Sequence, residues 1–333
     1  MIAIFYVHSM LFYEYRINFG WDEIHAFYVN TFFFVSGYLL FWKQLSSPFI
    51  DESRRSYLKS GYKKIIENIL FRIVIPSIIF AIILYIPGKL RDEDAFAIDD
   101  FLLETLGGRT FWFTSTLTVA ELILASLFCT RFKNIWLYII CICCFVALGF
   151  YFSTFSPETF NNDIWAWRRG LLSLIFLGLG GIYWKYEAEI DKYLLNIWSC
   201  IILFTIMVVM LKYFGERVSS MVSMLDIKPL GIIPSTISII LIIKLSKVIP
   251  KIHILQDIGK NTLGLYFMCG GMPYIVEKLY HSIFPEKSVV GLIIVFIFSF
   301  VISYLVVIML NRFLPYIFDI RLLFHKNKNG LRD

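Results

Sequence analysis

Charge is scarce in this chain. Asp, Glu, Lys and Arg together make up only 17% of the 333 residues, where a soluble globular domain carries ~25%. With 58% hydrophobic and 18% aromatic residues and a mean hydropathy of +0.72, this excludes an ordinary water-soluble domain and points to a polytopic membrane protein. Linkers rich in Gly and Pro are missing, and no internal repeat is found, so residues 1–333 read as a single membrane domain. Length does not divide such a chain, because one helical bundle can use all of it. Six cysteines occur, but none sits with His or a second Cys pair at zinc-like spacing, so no metal is expected. Cys141, Cys143 and Cys144 read as small apolar side chains of a membrane helix. No cleavable signal peptide is seen: the first apolar run has neither a basic flank nor a small-residue cleavage site. No nucleic-acid partner is expected.

What is present is a succession of apolar runs separated by charged breaks. Ten are counted, near 2–13, 24–42, 69–87, 111–129, 135–153, 164–184, 194–214, 230–249, 254–275 and 288–311. Most approach the ~20 residues that a helix needs to cross ~30 Å of hydrocarbon. The first is short, and the ninth holds Asp257, Lys260 and Asn261 near its start. The expected fold is all-α, a bundle of about ten transmembrane helices. Lys and Arg concentrate in the loops after runs 2, 4, 6 and 8 and in the C-terminal tail, which puts both termini in the cytoplasm. The loop 88–110 then faces outward; it is acidic, with Asp92, Glu93, Asp94, Asp99, Asp100 and Glu104.

Residues 54–68, RRSYLKSGYKKIIEN, read as a separate amphipathic helix on the cytoplasmic interface. Tyr57, Leu58, Tyr62, Ile65 and Ile66 share a face, and Arg54, Arg55, Lys59, Lys63 and Lys64 surround it. Two roles fit: attraction to anionic membrane lipid, or a basic mouth for a phosphate-bearing cytosolic donor.

Ionisable groups inside lipid are costly and mark function. His8 is the first. If run 1 leaves the bilayer near Tyr13, His8 lies ~7.5 Å below the outer end, and its imidazole can take and return a proton near neutral pH. Ser9 is adjacent but points elsewhere on a helix. Glu121 falls near the middle of run 4 and must be protonated or paired. Arg72 is just inside the cytoplasmic end of run 3. Arg168 and Arg169 are just inside the outer end of run 6, beside Trp165 and Trp167, and at least one of them faces the bundle interior. Run 9 opens DIGKNTLGLY, where Lys260 and Asn261 at a helix start either hold an anion or simply begin a helix. Ser36–Gly37 in run 2 suits close packing of small residues, and Trp112 and Phe113 open run 4.

These pieces together resemble acyltransferase family 3, the integral membrane acyltransferases that include polysaccharide O-acetyltransferases. The matching segments are IFYVHS at 4–9, FFFVSGYLL at 32–40, KKIIENILFRIVIP at 63–76, Trp112-Phe113, and IGKNTLGLY at 258–266. The resemblance implies transfer of an acyl group, usually acetyl from acetyl-CoA, to a hydroxyl of a glycan or lipid-linked sugar at a bacterial inner membrane. It makes His8 the base and places Arg72 at the donor side, with Lys63, Lys64, Lys260 and Asn261 as further donor-binding candidates. Arg168 or Arg169 would stabilise the oxyanion, with Glu121 grouped among the catalytic candidates. Ser36, Trp112 and Phe113 are carried as substrate-binding candidates. Two departures are visible. The family has a cation about ten residues before its His, and only seven residues precede His8. The family often has a His soon after the tyrosine matched by Tyr266, where this chain reads Phe-Met-Cys269. The shortness of run 1 and the missing cation lead to the expectation that Met1 is not the natural start of the complete enzyme. A transporter or flippase for lipid-linked sugars is the competing class.

Overall fold

The computed structural model describes residues 1–15, 24, 27–45, 54–92, 97–128, 135–155, 163–194, 196–214 and 231–323. Glu93 and Asp94 of the acidic loop, and the basic tail after residue 323, lie outside the described residues. Among the described residues all regular structure is helical. In chain order the helices are α1 (Ile2–Tyr13), α2 (Asn30–Leu45), α3 (residues 54–92), α4 (Ile98–Thr105), α5 (Trp112–Phe128), α6 (Ile135–Phe155) and α7 (Trp167–Lys185). They continue with α8 (Glu187–Leu194), α9 (Ile197–Phe214), α10 (Ile232–Val248), α11 (His253–Lys260), α12 (Thr262–Met268), α13 (Gly271–Ile283) and α14 (Val289–Phe313).

Among the described residues, three stretches are long and apolar enough to cross a membrane: Tyr57–Lys89 within α3, Ile135–Thr154 and Val289–Phe313. The bent pair of α8 and α9 is a fourth if counted as one span. Of the other runs, α7 has 19 residues but carries Arg168 and Arg169 in its first turn, and four are shorter. α1 has 12 residues, α2 has 16, and α5 and α10 have 17 each.

The ninth run differs from its expected single span. It is divided among α11, α12 and α13. Asn261 interrupts the first pair with φ −97° and ψ 13°, and its side-chain amide donates to the Asp257 carbonyl at 2.9 Å. A short polar side chain that bonds the local backbone competes with the helical ladder in this way. Gly270 and Gly271 stand at the second break.

The basic stretch 54–68 also differs from the expected free-standing helix, because it runs without interruption into the third apolar run. Tyr57, Ile65 and Ile69 are buried against α5, and the Tyr57 hydroxyl donates to the Ala125 carbonyl at 3.1 Å. Leu58 and Ile66, which were expected on the same apolar face, are exposed. The change of face has a local cause. Tyr57–Tyr62 and Leu70–Val74 are π-helical, and each wider turn rotates the following side chains relative to an α-helix.

α7 is the centre of the larger core. It packs on α2, α5 and α6, and its Leu172, Leu174, Phe176 and Leu177 have no exposed surface. A second body of packing joins α1 to α13 and α14. Tyr13 is its pin: it is fully buried, its hydroxyl donates to the Glu286 carbonyl at 3.3 Å, and it accepts from the Ser288 amide at 3.0 Å. Just beyond, Glu14 pairs with Lys287 at 2.6 Å. The short first helix is thereby fixed at one end, with Ile4 and Phe5 packed among Leu265, Cys269 and Val307 at the other.

Candidate active site

Among the described residues, two sizeable cavities hold half of the polar candidates, and they share no lining residue. The first, about 590 Å³, is built around His8. α1 supplies His8 and Phe12, α3 supplies Tyr85 and Lys89, and α4 and the turn after it supply Asp100, Glu104 and Thr110. Phe267, Gly270, Gly271 and Tyr274 close it from the broken ninth run. The break is what opens this wall, because an unbroken helix would continue through Gly270. The His8 ring stacks on Phe12 with centroids 6.3 Å apart, and Phe12 meets Tyr274 edge to face at 5.7 Å. Ser9, the sequence neighbour of His8, is fully buried and does not line the cavity.

Both carboxylates of this cavity have local partners. Lys89 binds Asp100 at 2.6 Å, and that hydrogen bond, ahead of burial, holds the Asp100 carboxyl below its ordinary range. Glu104 accepts from the Thr110 hydroxyl at 3.0 Å. Sequence reasoning used Asp100 and Glu104 only as part of an acidic loop and did not single out Lys89 or Tyr274. Nothing in their local sequence marks them; only packing against α1 brings them to His8.

The second cavity, about 490 Å³, is basic. Lys43 comes from α2, Lys64, Asn68 and Arg72 from α3, and Ser36 and Glu121 line it as well. Four residues singled out in the sequence are therefore brought together here: Ser36, Lys64, Arg72 and Glu121. Arg72 is exposed and lies in the second π-helical stretch, Leu70–Val74, where such turns often mark functional positions. Its Nε donates to Asp319 at 3.0 Å. Both readings of Ser36–Gly37 find a place: Gly37 packs against the backbone of α7, while Ser36 faces the cavity.

The remaining candidates stand apart. Arg168 is buried and bound by Asp163 through two contacts of 2.5 and 2.6 Å, with a third to the Phe152 carbonyl at 3.3 Å. Arg169 lies over the Trp112 ring at 4.8 Å. Neither lines the His8 cavity. Phe113 packs among Phe32, Phe33 and Tyr266. Lys63 pairs with Glu67 on the exposed side of α3, at 3.8 Å. Lys260 pairs with Asp257 at 3.3 Å, and Asn261 accepts from Asn311 at 2.6 Å.

A helical chain with spans of membrane length, carrying a histidine cavity and a separate basic cavity, has the parts of a membrane-embedded group-transfer enzyme. A family model described as an acyltransferase domain matches residues 1–309. The chain belongs to that family, acyltransferase family 3, and is thereby an integral membrane acyltransferase. Among curated proteins and among solved structures no match is found. The flippase reading gains no support from the family match.

Proposed function

We propose that the protein moves an acyl group, acetyl in the simplest case, from acyl-CoA to a hydroxyl of a surface polysaccharide or lipid-linked glycan. The reading places it in a bacterial cytoplasmic membrane, in a bundle of about ten spans with both termini inside. One observation carries it: α3 passes both cavities, with Arg72 on the basic one and Tyr85 on the His8 one, ~20 Å apart at 1.5 Å per residue. A donor whose phosphates are held at one end and whose thioester is delivered toward the other fits that separation.

In this mechanism Lys43, Lys64 and Arg72 bind the donor phosphates, and Ser36 and Glu121 offer hydrogen bonds to the pantetheine amides. The acceptor hydroxyl enters the His8 cavity. His8 removes its proton as the oxygen attacks the thioester carbonyl. The new C–O bond gives a tetrahedral oxyanion, which needs a fixed donor or cation beside it. Lys89, on the wall of the same cavity, takes that role in place of Arg168 or Arg169. Collapse breaks the C–S bond, and the imidazolium returns the proton to the departing thiolate. The aromatic wall of Phe12, Tyr85 and Tyr274 suits the apolar face of a sugar ring.

The deciding experiment has two arms. Purified full-length protein is given radiolabelled acetyl-CoA and a glycan acceptor, and free thiol and acetylated product are followed. Surface glycan is also analysed for O-acetyl groups with and without the gene. Label in the glycan and loss of O-acetyl on deletion support the proposal. Absence of coenzyme A binding and transfer, with unchanged surface O-acetylation, would overturn it.

A further inference from the structure

The C-terminal segment returns to α3 after the last long helix and attaches beside the basic cavity. Asp319 is the centre of the attachment. Arg321 grips its carboxylate with two guanidinium contacts, Nε at 2.8 Å and Nη2 at 2.7 Å, and adds its backbone amide at 3.2 Å. Arg321 is itself held on α3: its Nη1 donates to Asn68 at 2.9 Å, and its guanidinium lies over the Phe71 ring at 5.7 Å. The Asp319 side chain is only 16% exposed, while that of Arg72 is 60% exposed. A chain of contacts therefore runs from Asn68 and Phe71 through Arg321 and Asp319 to Arg72, and Arg72 lines the cavity.

The geometry at Arg72 is asymmetric. Asp319 takes its Nε. Among the described residues, neither terminal amino group of Arg72 has a hydrogen-bond partner. A guanidinium is planar, so fixing Nε leaves the two terminal groups as a fork of set direction, the arrangement that binds phosphate oxygens bidentately. An unanchored arginine of this exposure would sample many rotamers and would lose that freedom on binding. Asp319 and Arg321 lie beyond residue 309, where the family match ends, so family membership assigns them no role.

We propose that Asp319, braced by Arg321, is a positioning residue for donor binding: it orients Arg72 so that its terminal amino groups meet a phosphate of the acyl-CoA. The inference rests on the donor reading of the basic cavity. It predicts an effect on donor affinity and none on the chemical step, because neither Asp319 nor Arg321 lines the His8 cavity.

The test uses the purified full-length protein and tritiated coenzyme A, with steady-state transfer measured alongside. Asp319→Asn is expected to weaken coenzyme A binding about tenfold, the scale of one charge-assisted contact, with kcat at saturating donor unchanged. Asp319→Glu should restore most of the affinity. Arg72→Lys keeps the charge but loses the fork, and is expected to match Asp319→Asn. The double variant should bind no more weakly than either single one, because both remove the same interaction. Coenzyme A binding at wild-type strength in Asp319→Asn, additive losses in the double variant, or a fall in kcat with unchanged affinity would each overturn the proposal. If Asp319→Asn does not yield folded protein, Arg321→Gln carries the test: weaker binding supports the proposal and unchanged binding refutes it. Wild-type protein that binds no coenzyme A would overturn the donor reading itself. Wild-type protein that binds it, with variants indistinguishable from it, would overturn this inference alone.

Discussion

Gly37 on α2 faces the backbone carbonyl of Leu177 on α7 so closely that a β-carbon on Gly37 would overlap it. The same holds in reverse, since a β-carbon on Gly180 would overlap the carbonyl of Phe34. Backbone cannot move aside as a side-chain tip can, so two glycines set the separation of the two helices. Gly37→Ala is expected to cost about 1–3 kcal/mol, the range for overpacking. Gly259, with open space around its β-position, is the control, and Gly259→Ala should be neutral or slightly stabilising. Thermal unfolding midpoints in detergent would separate the two; equal midpoints would mean that α2 and α7 are not in backbone contact.

Acid should loosen the C-terminal attachment. Hydrogen bonds from Arg321, ahead of the one from Arg72, pull the Asp319 carboxyl from 3.8 down to about 2. A folded-state value below the unfolded one adds stability that is fully present above the ordinary carboxylate range and is lost as pH falls through about 2. Asp319→Asn should therefore be less stable than wild type at neutral pH, and the gap should close as pH drops from about 4 toward 2. Glu14 and Asp100 are also held low, by Lys287 and Lys89, so the quantity to measure is the difference between variant and wild type, not either curve alone. A gap independent of pH would remove Asp319 as the titrating group.

Arg168 is expected to matter for folding. It is 2% exposed and paired with an Asp163 side chain that is 9% exposed. Removing one member of such a pair leaves a buried charge uncompensated, at a cost of about 3–5 kcal/mol. Arg168→Met and Asp163→Asn should each lower the yield of monodisperse protein and the unfolding midpoint. The double variant should recover part of the loss. A stable, well-folded Arg168→Met protein without transfer activity would return Arg168 to the reaction.

The contrast between Arg168 and Arg72 shows what could be read from sequence. Hydropathy located the long helices α6 and α14 because a membrane span needs a continuous apolar run, and that need is visible residue by residue. His8 stood out because an imidazole in such a run is exceptional. The partner of Arg168 was five residues away, at Asp163, and could have been found from sequence. The partner of Arg72 is Asp319, and the wall of the His8 cavity comes from α1, α3, α4 and α13. Such contacts are made by packing between distant segments and have no local signature. The break at Asn261 was written in the sequence as a polar interruption, yet an apolar average over 254–275 hid it.

The two cavities give opposing kinetic signatures. His8→Ala and His8→Gln remove a proton acceptor from the reacting end, so transfer at saturating donor should fall by about 10²–10⁴-fold, the usual contribution of a general base. Coenzyme A binding should remain, because His8 does not line the basic cavity. Arg72→Ala should do the reverse: a raised donor KM and a kcat closer to wild type. Lys64→Ala should act in the same direction as Arg72→Ala, and Lys63→Ala, on the exposed side with Glu67, should have little effect. This ordering of two adjacent lysines depends on which side of α3 each occupies, so it probes the cavity and not the net charge of the segment. If Lys63→Ala and Lys64→Ala raise the donor KM equally, the segment acts as a diffuse basic surface, and the donor is not held in the cavity that Lys64, Arg72 and Ser36 enclose. If His8→Ala instead loses coenzyme A binding along with transfer, the two cavities are one site, and the ~20 Å separation along α3 does not describe how the donor lies.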